Sequence, residues 1–98
     1  MNPPQTVPPP EAQELYDWLA RQLSVAANLD VRSVRPELPL TRYGLDSSDA
    51  IELALTIELA VGVDLPPTLF WEYPTLGLLA DYLWREHGVR APAGNRLP

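Results

Sequence analysis

Ninety-eight residues with 46% apolar content and no cysteine describe one domain with one modest core, and exclude a disulfide framework or a thiolate metal site. A formal net charge of −6, with all seven basic residues arginine, argues against a nucleic-acid partner, whose phosphates would be repelled. No apolar run approaches the roughly 18 residues of a membrane span, no basic segment leads into an apolar one as in a secretory signal, and the lack of cysteine fits a reducing, cytoplasmic setting.

Residues 1–10 hold five prolines and read as a solvated, polyproline-like tail, with a tether or docking tail as alternatives. A first helix is expected from Glu11 to about Leu29. Pro10 suits its start, and Glu11, Glu14 and Asp17 complement the positive end of its dipole. Leu15, Trp18, Leu19, Leu23 and Ala26 recur at helical spacing as one apolar face. Asp30 to Tyr43 is a long connection in which Pro36 and Pro39 prevent a regular helix. Its apolar residues Val31, Val34, Leu38 and Leu40 are expected to pin it across a helix bundle.

The second helix runs from about Ser47 to Val61 and stops at Gly62. It carries two apolar stripes. Ala50, Leu53, Ala54, Ile57 and Val61 form the first, and Ile51, Leu55 and Leu59 form the second. Either both are buried, as in a central helix, or the second is an exposed strip for a partner. Asp49, Glu52 and Glu58 flank it, which favours docking. From Arg42 to Arg85 there is no basic residue, while Asp46, Asp49, Glu52, Glu58, Asp64, Glu72 and Asp81 lie between them. Such a segment attracts a basic protein surface.

Pro66-Pro67 restarts the chain, and Thr68 to Trp71 has room for one short turn of helix. Leu69, Phe70 and Trp71 are expected to plug the core. Thr75 caps a last helix to about His87, with Leu76, Leu79, Ala80, Leu83 and Trp84 on its apolar face. Gly88 stops it, and residues 89–98 read as a frayed tail or linker. The domain is therefore expected over 11–88, all-α, with three long helices and one short.

The chemistry concentrates where Gly44 ends the loop and a helix begins at Asp46 or Ser47. The first N–H groups of a helix lack internal partners, and the dipole makes that end partly positive. A phosphate esterified to Ser47 would be held by both effects, so Ser47 reads as a covalent attachment point. Catalysis is not expected. No base lies near Ser47 in sequence, and the single histidine, His87, sits where it complements a helix C-terminus. The same scarcity of ligands argues against a metal site.

Gly44-Leu45-Asp46-Ser47 resembles the G-x-D-S attachment motif of acyl carrier proteins. The similarity runs through Ala50-Ile51-Glu52-Leu53 to Gly62-Val63-Asp64-Leu65-Pro66. Leu69-Phe70-Trp71-Glu72-Tyr73-Pro74-Thr75 resembles the LF-(D/E)-x-PT segment of polyketide synthase carrier domains, and Pro39-Leu40-Thr41 their PL(T) step. The resemblance covers about Leu15 to Leu83. It implies a right-handed four-helix bundle of acyl carrier type with a long loop between helices 1 and 2. It implies that Ser47 receives 4′-phosphopantetheine from coenzyme A through a phosphopantetheinyl transferase, and that the arm's thiol carries acyl groups as thioesters. Asp46 matches the acid associated with transferase recognition, and Leu45 with Asp46 favours an acyl over a peptidyl carrier.

Ser48 departs from the family, which has Leu, Met or Val there, facing partners. It raises the question of which serine is modified, and Ser47 is favoured because it follows Asp46 directly. Ser47-Ser48-Asp49-Ala50, with the Glu-rich helix that follows, also resembles carriers loaded by fatty acyl-AMP ligases or other starter-loading carriers. The resemblance places Ser48, Asp49, Ile51, Glu52, Leu55, Glu58 and Leu59 on the partner face, against a basic rim on an acyltransferase or acyl-AMP ligase, a ketosynthase or another synthase domain. A monomer making weak, transient contacts is expected. The alternatives are a peptidyl or aryl carrier of a nonribosomal pathway, and a helical interaction module without a prosthetic group, whose serine merely caps a helix.

Overall fold

The computed structural model describes residues 12–91. The proline-rich segment 1–10, Glu11 and the last part of the expected C-terminal tail, 92–98, lie outside them. Four helices follow in order: α1 (Gln13–Ala27), α2 (Ser47–Val61), α3 (Leu69–Glu72) and α4 (Leu76–His87). Among the described residues there is no strand, and the one β-like contact is an isolated bridge between Pro39 and Thr75.

Helix α1 buries Leu15, Trp18, Leu19 and Leu23 as its spacing predicts, and also Tyr16 and Ala20. It ends two residues early, at Ala27, and Asn28 caps it in the left-handed conformation with φ 55°. Ala26 is exposed rather than on the apolar face. The buried row follows the i, i+4 series from Leu15 to Leu23, and Ala27 continues it against the core.

The connection after α1 contains two short 3-10 turns, Val31–Ser33 and Leu40–Tyr43. Asp30 caps the first by accepting a hydrogen bond from Arg32 N at 2.8 Å. Val34 and Leu40 pin the loop as expected, whereas Val31 is exposed and Leu38 half-buried. Backbone bonds do the rest. Gly77 N donates to Pro36 O and Leu40 N donates to Pro74 O, both at 2.9 Å, which staples the loop to the start of α4. The hydroxyl of Tyr43 accepts from Arg35 N at 2.9 Å and donates to Arg35 O at 3.2 Å. A loop so tied delivers Gly44 to one place, and Gly44 turns the chain with φ 82°, a conformation that costs a side-chain-bearing residue about 1 kcal/mol.

Helix α1 packs on both α4 and α2, and α3 packs on α2. Leu15, Leu19, Leu23, Ile57, Leu69 and Leu79 lie fully buried at the centre. Each contributes about 1.5–3 kcal/mol by leaving water. The expectation for α3 holds for Leu69 and Phe70, which are buried, and fails for Trp71, which is 61% exposed. In a single turn successive residues step by about 100°, so two can point inward and the third must point out. Helix α4 starts with Thr75 Oγ1 accepting from Leu78 N at 3.1 Å. It ends at Gly88, with φ 61°. Val89, which the sequence groups with the tail, is buried and donates its N–H to Leu83 O at 3.1 Å. His87 Nε2 lies 2.9 Å from the hydroxyl of Tyr82, whose ring stacks on Tyr73.

Candidate functional site

The site is built at the first turn of α2. Asp46 takes the N-cap position, its carboxylate accepting from Asp49 N at 2.8 Å. Asp49 returns the bond, accepting from Asp46 N at 3.3 Å. Two acids thus satisfy each other's backbone donors in a capping box, here with aspartate where glutamate is usual. Ser47 is the first residue of the helix. It is exposed, and its hydroxyl makes no hydrogen bond among the described residues. The serine therefore does not cap the helix, as the interaction-module alternative supposes. Asp49 N donates to Asp46 Oδ1 and Ala50 N to Asp46 O, which leaves the N–H groups of Ser47 and Ser48 at the open, electropositive end.

Beside Ser47 lies a groove of about 400 Å³, open to solvent. It is lined by Leu45, Ala50, Phe70, Trp71, Pro74 and Ser47 itself. The loop, the start of α2 and α3 therefore converge on one hydroxyl.

The candidate partner face extends from this point along α2. Ile51, Leu55 and Leu59 are 43%, 52% and 76% exposed, while Leu53, Ala54 and Ile57 behind them are buried. The second stripe is thus open, and the possibility that both stripes are buried is excluded. Ser48 and Glu52 are exposed and Asp49 is half-buried. Glu58 is less available than its sequence position suggests, because its carboxylate accepts a hydrogen bond from Leu65 N at 3.1 Å.

Sequence reasoning missed Trp71 as a surface residue of the site. The signal was its place as third residue of a one-turn helix. Among the described residues no three or more His, Cys, Asp or Glu side chains group as metal ligands would, and no helix is long and apolar enough to cross a membrane.

The sequence matches the family described as "Phosphopantetheine attachment site" over residues 17–83. It is 36% identical over 84 residues to 5-methyl-1-naphthoate synthase of Streptomyces sahachiroi, covering 85% of this chain. It is 41% identical over 74 residues to polyketide synthase ThaG of Burkholderia thailandensis, covering 74% of this chain. The matched segment spans only 5% and 1% of those two relatives. A free-standing peptidyl carrier protein of Acinetobacter baumannii superposes with TM-score 0.72 at 29% identity, over 78% of this chain and 95% of that one. The HMG-ACPI domain of the CurA module of Lyngbya majuscula superposes with TM-score 0.71 at 27% identity, over 85% of this chain and 82% of that one. The arrangement is the four-helix carrier fold.

Proposed function

This chain belongs to the phosphopantetheine attachment-site family of carrier domains, and from that premise we propose that it is a polyketide-type acyl carrier whose arm is esterified to Ser47. The family's covalent arm supplies a thiol on which acyl groups ride as thioesters. The chain's own contribution is presentation. The observation that carries the reading is the division of labour at α2: Asp46 does the capping, so the hydroxyl of Ser47 stays exposed and, among the described residues, unbonded.

The residues present fit such a group. The open N–H groups of Ser47 and Ser48 and the helix dipole suit the single negative charge of a phosphodiester. The groove starting at Ser47 gives the arm an apolar surface to lie along. Asp46, exposed beside the serine, is the contact for the phosphopantetheinyl transferase. Ser48, Asp49, Ile51, Glu52, Leu55, Glu58 and Leu59 form the face read by acyl-loading and synthase partners. That face is apolar with an acidic margin, so its counterpart is an apolar patch rimmed by Arg and Lys. A tethered substrate reaches each partner at high effective concentration, so weak docking suffices. The chain itself performs no catalysis in this scheme. Loading with a starter unit by an acyltransferase or acyl-AMP ligase is the assignment that Ser47-Ser48-Asp49-Ala50 supports.

The test is mass spectrometry after incubation with coenzyme A and a promiscuous transferase. A gain of about 340 Da, the mass of the arm as a phosphoester, is expected for the native chain and for Ser48→Ala, and none for Ser47→Ala. No gain in the native chain, under conditions that modify a control carrier, overturns the proposal. A peptidyl carrier is the second reading, favoured by the superposition on a peptidyl carrier protein. Loading with aminoacyl against acyl groups separates the two.

A further inference from the structure

Trp71 is the exposed aromatic residue of a helix whose other aromatic residue, Phe70, is buried. It lines the groove that also contains Ser47. We infer that Trp71 is a stacking platform for a planar, aromatic acyl group carried on the arm, and that it biases this domain toward aromatic cargo. This rests on the reading of Ser47 as the attachment residue.

The occupant follows from the tether. Whatever is esterified to Ser47 begins in this groove, so its distal group samples the walls at high effective concentration. The shape follows from the walls. Four of the lining residues, Pro39, Phe70, Trp71 and Pro74, are rings whose shape is fixed, and they stand beside the aliphatic Leu40, Leu45 and Ala50. The volume of about 400 Å³ falls near the small end of ligand sites, roughly 300–1,000 Å³, which suits a compact ring system better than a long chain. Aromatic pairs also gain from offset stacking beyond what buried area gives. The platform is separate from the docking stripe, since Ile51, Leu55 and Leu59 do not line the groove.

The apo protein is loaded from naphthoyl- and butyryl-coenzyme A by the promiscuous transferase, and loading is confirmed by mass. The ¹⁵N-resolved indole signals and the rate of thioester cleavage by hydroxylamine are then measured for the native chain, Trp71→Phe and Trp71→Ala. The naphthoyl form is expected to move the Trp71 indole signal and leave that of the buried Trp18 in place. Its cleavage is expected to be about three- to tenfold slower in the native chain than in Trp71→Ala, the scale of one aromatic pair. Trp71→Phe keeps part of that protection, and the butyryl form shows neither effect.

An unmoved Trp71 signal, or equal cleavage in the native chain and Trp71→Ala, overturns the inference. So does an equal response to butyryl, which would make the groove merely apolar. Slower transfer to Trp71→Ala without any change in cleavage would make Trp71 a partner contact instead. Failure to load the native chain is a different result, which removes the assignment of Ser47 and this inference with it.

Discussion

The carboxylate of Glu58 reaches forward along the chain and accepts a hydrogen bond from the backbone N–H of Leu65 at 3.1 Å. Helix α2 has already turned at Gly62, with φ 73°, and the chain must run back toward α3. Leu65 is buried there, so its N–H needs an acceptor. Glu58 supplies one from the last turn of α2. Removing it in Glu58→Ala is expected to destabilise the fold by about 1–2 kcal/mol, read as a lower midpoint in urea. Glu58→Gln keeps an acceptor oxygen and is expected to recover most of the loss. Equal stability of Glu58→Ala and the native chain would show that the bond holds nothing in place.

Glu52 is the cleaner place to test the charge of the proposed docking face, being exposed and without a bonded role among the described residues. Glu52→Lys is expected to change stability by less than about 0.5 kcal/mol. It is expected to slow acylation by a cognate partner severalfold at low salt, and less so as ionic strength rises and screening shortens the range. Acylation rates that match the native chain at every salt concentration would remove electrostatic steering from the proposal.

Asp46 caps α2, and substitution can separate that role from the transferase contact proposed for it. Asp46→Ala loses the cap and is expected to cost about 1 kcal/mol in a thermal melt. Asp46→Asn keeps a capping oxygen and is expected to remain near native stability while its modification by the transferase slows. If Asp46→Asn is modified at the native rate, the charge of Asp46 is not what the transferase reads.

The hydroxyl of Tyr16 is buried and finds no hydrogen-bond partner among the described residues. Burial, with smaller contributions from Tyr43, Glu37 and Asp17, pushes its pKa up from 10.0 to about 12. An unpaired buried hydroxyl is a liability, so Tyr16→Phe is expected to raise stability by about 1 kcal/mol at neutral pH. The pH dependence has a definite sign. The folded chain holds the phenolic proton more tightly than the unfolded one, so the unfolded state releases it first, and stability falls as pH rises from 10.0 toward about 12. Tyr73 shifts in the same direction, chiefly by burial, so Tyr16→Phe should remove part of that alkaline loss. An unchanged slope in urea titrations across this window would contradict the assignment to Tyr16.

The sequence alone determined what is local and periodic. Helix α2 begins and ends where its capping acid and Gly62 place it, because caps and left-handed turns are decided by a few neighbouring residues. The pairing of Ser47 with Asp46 was legible for the same reason, and the ordered motifs around it pointed to the carrier family that the comparisons then identified. Tertiary structure decided what depends on which side of an element faces its neighbours. Ile51, Leu55 and Leu59 have the spacing of a buried stripe, and only the packing of α1 and α3 against the other sides of α2 leaves them open. Trp71 looks like core by composition, yet Leu69 and Phe70 fill the inward directions of a one-turn helix. The tie from Glu58 to Leu65 could not be read either, because a carboxylate on a helix shows its partner only when the chain beyond Gly62 folds back beneath it.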